Sequence, residues 1–205
     1  MQTTQADPLI GRSFGGYRLE RKIGQGGMGV VYLGVRGADQ VAVKVLPVLL
    51  QGHPEHARRF LREIAAASAV AHPNVVRFLA AGEEGGNLYL AMELVPGGNL
   101  QEVLDAGRRV SIGEAVEIVR QAAFGLGAIH AKGLVHRDVK PGNLLRTPEG
   151  MVKIADLGLV RGEALPSLSY TGQILGTPLH LSPEQALSRS DADHRADVCS
   201  LGATL

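Results

Sequence analysis

From Tyr17 the chain alternates with period two: Tyr17, Leu19, Arg21 and Ile23 fall on one side, Arg18, Glu20 and Lys22 on the other. A glycine cluster interrupts the pattern, VVYLGV follows, and a further apolar run, VAVKVLPVLL, begins after Gly37 and the three residues that follow it. These segments predict three short antiparallel strands joined by tight turns. Residues 54–71 change period: Phe60, Ile64, Ala67 and Ala71 share one face of a helix, and Pro73 predicts its stop. VVRFLAAG and LYLAMELV, separated by EEGGN, predict a second hairpin.

Beyond Pro96-Gly97-Gly98 the pattern turns helical. Asn99 with Glu102, and Ser111 with Glu114, have capping-box spacing. From Ala115 an apolar stripe runs through Val119, Ala122, Leu126 and Ile129, and Gly133 supplies a C-terminal stop. The expected organisation is a polar, flexible leader over 1–16, then one α+β domain over 17–205. Its first part, 17–95, holds a five-stranded antiparallel sheet and one helix. Its second, 96–205, is mainly helical, and a glycine-rich hinge at 96–98 divides them.

Composition narrows the function classes. The 205 residues are 45% hydrophobic and 20% charged, and 21 Lys and Arg against 20 Asp and Glu leave a formal charge of +1. No overall field steers such a chain to nucleic acid or to a membrane surface. The lone cysteine excludes an intrachain disulfide, and Cys199 reads as a small buried hydrophobe. MQTTQADPLIGRSFGG lacks the basic and apolar regions of a signal peptide, and no stretch approaches the roughly 18 apolar residues of a membrane span. A cytoplasmic setting is expected.

The glycine cluster, Gly24-Gln25-Gly26-Gly27-Met28-Gly29, is a G-x-G-x-x-G string. In a dinucleotide fingerprint a helix follows at once, whereas here Val30, Val31, Tyr32 and Leu33 are strand formers. A strand–glycine–strand hairpin instead lays a flap over phosphates, whose oxygens reach backbone N–H groups where Cβ is absent, with Val31 on the base. Lys44, inside VAVKVL, reads either as an edge lysine facing solvent or as the partner of Glu63. Glu63 lies among the apolar positions of the helix at 54–71, where a carboxylate is costly unless paired.

HRDVKPGNLL at 136–145 interleaves Asp138, Lys140 and Asn143 on a loop that Pro141 and Gly142 keep from becoming a helix. Asp156-Leu157-Gly158 follows the apolar stretch from Val152 to Ala155. Phosphoryl transfer needs a carboxylate for the acceptor hydroxyl, a cation for the γ-phosphate and oxygen ligands for Mg²⁺. Asp138, Lys140, and Asn143 with Asp156 supply these in turn.

With these motifs the chain resembles the eukaryotic-type serine/threonine protein kinases of bacteria, from Tyr17 to its last residue. GQGGMGVV, VAVK with Lys44, Glu63, HRDVKPGN, DLG and SPE match that family's set. The resemblance implies a bilobal kinase fold and transfer of the γ-phosphate of Mg-ATP to Ser or Thr of protein substrates, Lys140 marking the Ser/Thr class. It implies an ATP site made by Ile23, Gly24, Gln25, Gly26, Gly27, Met28, Gly29, Val30 and Val31, by Ala42, Lys44 and Glu63, and by Leu145. Met92 would be the gatekeeper, and Glu93 and Val95 the hinge groups that meet adenine.

Residues 156–184 resemble an activation segment. Thr171, with Ser169 second, is the expected phosphosite, Arg137 the receiver of its charge, and Thr177 a structural neighbour of the acceptor site. Asp197 resembles the aspartate that anchors the catalytic loop, and Glu184 one that pairs with a late arginine. Family members continue beyond Leu205, so the helical part is expected to be incomplete. An inactive nucleotide-binding pseudokinase or scaffold is the alternative from another class. A small-molecule phosphotransferase of related fold would lack Lys140 at this spacing and the GTPLHLSPE block. No nucleic acid or membrane partner is implied, and a dimer that phosphorylates in trans is compatible.

Overall fold

The alternation at Tyr17 becomes strand β2, Tyr17–Gly26, preceded by a two-residue strand β1, Ser13–Phe14, and followed by β3, Gly29–Arg36, and β4, Asp39–Val45. Helix α1, Pro54–Ala67, leads to the hairpin of β5, Phe78–Glu84, and β6, Asn87–Glu93. The sheet is antiparallel in the order β1-β2-β3-β4-β6-β5. Then come α2, Leu100–Asp105, α3, Ile112–His130, the strand pair β7, Leu144–Arg146, and β8, Val152–Ile154, and helices α4, Pro183–Ala186, and α5, His194–Thr204. This computed structural model describes residues 7–26, 29–46, 54–157, 178–187 and 192–204.

The chain divides into two units, Met1–Leu61 with Phe78–Leu94, and Arg62–Arg77 with Val95–Leu205. The first owes its core to strand alternation. Val41, Val43 and Val45 of β4 turn to one face, where they meet Tyr17, Leu19, Tyr32, Tyr89 and Ala91, all buried. Ala42 and Lys44 turn to the other.

Two expectations about this unit are corrected. The sheet has six strands, not five, because residues 7–16 are not a flexible leader. Phe14 is 1% exposed and packs edge-on against Tyr89 with centroids 5.8 Å apart. The Tyr32 hydroxyl donates to Asp7 at 2.8 Å, and the Gly15 N–H donates to Glu84 at 2.8 Å. Burial, and after it the Asp7 carboxylate, push the Tyr32 hydroxyl pKa up, so it remains a donor. An aromatic anchor and two carboxylates, Asp7 and Glu84, thus fasten a stretch whose composition reads as polar linker.

The second unit begins at Val95 and also takes in Arg62–Arg77. The reason is main-chain bonding: Val76 N–H donates to Ile154, Ile154 N–H to Asn74, and the Asn74 amide to the Val152 carbonyl. Helix α1 buries Phe60, Ile64 and Ala67 as its period requires. It ends at Ala67 rather than Ala71, since Ala69 and Val70 close tight i→i+3 bonds to Ala66 and Ala67. Val70 is then buried and Ala71 exposed.

Asn99 caps α2 through a complete capping box, whereas at α3 only Ser111 caps. Glu114 is drawn instead to Arg146 at 2.8 Å and Arg108 at 3.1 Å. The buried face of α3 is Ile118, Ala122, Gly125, Leu126 and Ile129, so Ile118 takes the place expected for Val119. The supposed hinge glycines serve packing. A Cβ at Gly97 would collide with the Arg146 carbonyl oxygen, and Arg146 N–H donates to the Gly98 carbonyl at 2.9 Å. Cys199 is exposed, not buried: α5 turns Ala196, Asp197, Ser200 and Leu201 inward, and position 199 falls outside that stripe.

Candidate functional site

In the first unit the strand register gathers several of the expected nucleotide-site residues on one face. Val31 pairs with Lys44 and Lys44 with Leu90, while Leu33 pairs with Ala42 and Ala42 with Met92. Paired residues point the same way, so Val31, Ala42, Lys44 and Met92 lie on the face opposite the Val41–Val43–Val45 core. Lys44 is 7% exposed and Met92 5%. Glu93 closes β6 opposite Val41.

The glycine string forms the β2–β3 hairpin, with Gly24 opposite Val31, Gln25 opposite Val30 and Gly26 opposite Gly29. Gly29 has φ 128°, and a Cβ there would strike the Val45 carbonyl. At Gly26 a Cβ would meet no protein atom within 4 Å, so packing among the described residues does not demand that glycine. Ile23 is half-buried on β2. Gly27 and Met28 lie outside the described residues.

The second unit brings Asp138, Lys140, Asn143 and Asp156 together. Lys140 Nζ donates to Asp138 Oδ2 at 2.9 Å, and Asn143 Nδ2 donates to the same oxygen at 3.0 Å. Asn143 Nδ2 also donates to the Asp138 carbonyl at 2.7 Å. With both amide hydrogens engaged, Asn143 Oδ1 is left as a hard oxygen donor. Ala155 N–H donates to the Asn143 carbonyl at 2.9 Å, which ties Asp156, next in the chain, to Asn143. An amide oxygen from Asn143 and a carboxylate from Asp156 are the donor types that fit Mg²⁺, which takes few protein oxygens and keeps water and phosphate.

The loop before Asp138 is held from beneath. Asp197, 1% exposed in the first turn of α5, accepts from His136 N–H and Arg137 N–H at 2.7 Å each, and meets His130 Nε2 at 2.7 Å. His136 is fully buried, its Nδ1 accepting from Asp138 N–H at 3.2 Å and its Nε2 donating to the Ala155 carbonyl at 2.9 Å. Burial pushes the His136 pKa down, outweighing the Ala155 bond and the nearby carboxylates, so the ring stays neutral with its proton on Nε2.

Arg137 and Asp156 are the two non-glycine residues with left-handed backbone among those described, at φ 64° and 55°. Such residues cost about 1–3 kcal/mol each and persist where neighbours over-determine them. Here the strain sits beside Asp138 and at the expected metal ligand itself.

Glu63 is half-buried on α1, and Val95 and Leu145 are half-buried. Leu145 follows Leu144 on β7 and bridges to Asn99. Ser169, Thr171 and Thr177 lie outside the described residues. Three contributors escaped the sequence reading. His130 touches Asp197. Gln121 receives Val152 N–H at 2.7 Å and the Asn74 amide at 3.2 Å. Gln185 donates to the Arg137 carbonyl at 2.8 Å. Only His130, the last residue before the α3 stop, carried a visible signal.

Comparison with known proteins identifies the family to which this fold belongs. Residues 17–205 match the protein kinase domain family, and the chain belongs to it. It is 42% identical over 203 residues to the serine/threonine-protein kinase PknA of Mycobacterium tuberculosis, covering 95% of this chain and 47% of that protein. It is 43% identical over 196 residues to the serine/threonine-protein kinase pkn2 of Myxococcus xanthus, covering 92% and 23%. The crystal structure of the M. tuberculosis PknI kinase domain superposes with a TM-score of 0.76 at 32% identity, covering 95% of this chain and 72% of that one. The chain thus spans about half the length of PknA, or less for pkn2. Among the described residues no helix is long and apolar enough to cross a membrane.

Proposed function

We propose that this chain carries the catalytic apparatus of a serine/threonine protein kinase that moves the γ-phosphate of Mg-ATP to Ser or Thr hydroxyls of proteins, in the cytoplasm. The observation that carries the reading is the convergence of Lys140 Nζ and Asn143 Nδ2 on one oxygen of Asp138. Two donors fix the carboxylate's orientation in advance, which is what a group that must align a hydroxyl requires.

In this reading the acceptor oxygen attacks the γ-phosphorus, the bond to the β–γ bridging oxygen breaks, and the hydroxyl proton passes to Asp138. Lys140, a fixed cation beside that carboxylate, balances charge on the transferred group. Asn143 and Asp156 would hold Mg²⁺, which when bound neutralises phosphate charge. The glycine loop from Ile23 to Val31, with Ala42, Lys44, Met92, Glu93, Val95 and Leu145, binds the nucleotide, and Lys44 pairs with Glu63. Arg137 pairs with the charge of an activating phosphate carried on Thr171 or Ser169. The pseudokinase alternative finds no support in the site, whose chemical residues are all present.

The test is Asp138→Asn. Transfer to a protein substrate should fall at least about 10²-fold, the usual worth of a positioned base, while ATP affinity stays within about twofold. Retention of more than about a tenth of the activity would remove Asp138 from this role.

A further inference from the structure

Arg137 is the residue whose strained backbone delivers Asp138, and its two flanking peptide groups are held from two directions. Its N–H is taken by Asp197 Oδ1 at 2.7 Å, from α5. Its carbonyl is taken by Gln185 Nε2 at 2.8 Å, from α4. We propose that Gln185 is a positioning residue for the transfer reaction, locking the Arg137 carbonyl so that the seat of α4 sets the geometry of Asp138. The proposal rests on the kinase reading above.

The side chain at 185 does two jobs with its two ends. Its Oε1 accepts Ser182 N–H at 3.2 Å and the Ser182 hydroxyl at 3.1 Å, while the Ser182 hydroxyl accepts Gln185 N–H. That is a reciprocal capping box at the start of α4. Its Nε2 is the end that reaches the catalytic loop. An amide is required for this, since it joins an acceptor to a donor in one planar group. Glutamate would cap the helix equally well but has no hydrogen for a carbonyl oxygen. The cap alone therefore does not account for glutamine at this position.

The energetic logic follows from the strain. Arg137 at φ 64° returns toward ordinary backbone angles unless both its neighbouring peptide groups are engaged. Asp197 holds the group on the N-terminal side, and Gln185 holds the one that leads directly into Asp138. Ser182, 0% exposed, seats the start of α4, so Gln185 is presented from a fixed base. Any shift of α4 is thus transmitted to the residue before the catalytic aspartate.

The experiment compares wild type with Gln185→Glu and Gln185→Met in the full-length chain. Three readouts are taken: kcat and KM for ATP in transfer to a protein substrate, thermal midpoint, and hydrogen exchange of the peptide spanning 136–139. The expected result for Gln185→Glu is a kcat loss of about tenfold at unchanged ATP KM, the scale of a sub-ångström misplacement. Exchange at 136–139 should be faster and the melting midpoint within about 2 °C of wild type, because the cap survives. Gln185→Met, which keeps the stem and has no donor, should match it in kcat and exchange. Wild-type kcat and exchange in both variants would overturn the proposal, and so would a loss of kcat that follows the melting midpoint alone. Should the wild type itself transfer no phosphate, the kinase reading fails; the exchange comparison still decides whether Gln185 holds the loop.

Discussion

Asp197→Asn is the sharpest probe of how this site is held. The carboxylate receives Arg137 N–H on Oδ1, and His136 N–H with His130 Nε2 on Oδ2. Asparagine has the same shape but turns one of those oxygens into a donor. If the NH₂ faces Arg137, that buried N–H meets a donor. If it faces the histidines, His130 can accept by changing tautomer, yet His136 N–H is left unmet. One main-chain donor is stranded in either orientation.

A hydrogen bond to a charged group contributes about 1.5–3 kcal/mol, and a buried donor left unmet costs about 1–3, the two being largely the same event. Loss of negative charge in the first turn of α5 adds about 0.5 kcal/mol through the helix dipole. The sum, about 2–3.5 kcal/mol, is a large share of the roughly 5–15 kcal/mol that stabilises a domain. It corresponds to a fall in melting temperature of roughly 5–15 °C. Because the freed N–H borders the strained Arg137, transfer should fall by more than the folded fraction does. Urea unfolding and a transfer assay at a temperature where the variant remains folded give both numbers. An unchanged urea midpoint with unchanged transfer would refute the argument that Asp197 holds the loop.

Three further expectations can be checked independently. Lys44→Met and Glu63→Gln should each lower transfer strongly, and a double-mutant cycle should be non-additive; losses that simply add would show that the two do not act as a pair. Since the His136 pKa lies below the ordinary His value of about 6.5, the unfolded chain takes up a proton there that the folded one refuses. Stability should fall as pH drops below about 6.5, by at most about 1.4 kcal/mol per pH unit until the folded pKa is reached, and should not change with pH on this account above about 6.5; a urea midpoint flat from about pH 7.5 to 5.5 would contradict this. After incubation with Mg-ATP, mass spectrometry should find phosphate at Thr171 or Ser169, and the double alanine variant should be slower on an added substrate; an unmodified loop with full activity would exclude the switch.

Strand and helix periods made most of the first unit and the course of α3 readable, because one face of each element is buried and the period records it. The meeting of Asp138, Lys140 and Asn143 was readable because such residues rarely interleave on a loop without reason. What stayed hidden depends on contacts far apart in sequence. Arg62–Arg77 joins the second unit through main-chain bonds to β8, which no side-chain pattern encodes. Gln185 and Gln121 act through amide groups that look like ordinary surface polarity until their partners are placed. Gly97 reads as hinge material, since nothing local reveals the Arg146 carbonyl that excludes a side chain there.

The docking of residues 7–16 bears on where this domain can be cut. The match to the protein kinase domain family begins at residue 17, yet residues before it pack on the sheet, with Asp7 on Tyr32 and Phe14 on Tyr89. A recombinant version trimmed to the family boundary would strip an aromatic ring from the core, where such rings cover about 150–250 Å² each. The Tyr32 hydroxyl would lose its acceptor, and the start of β2, from Tyr17 to Leu19, would lose its pairing and lengthen the open edge available to a neighbouring molecule. Aggregation of a protein shortened in this way would reflect the choice of end point and would say nothing against the kinase domain itself.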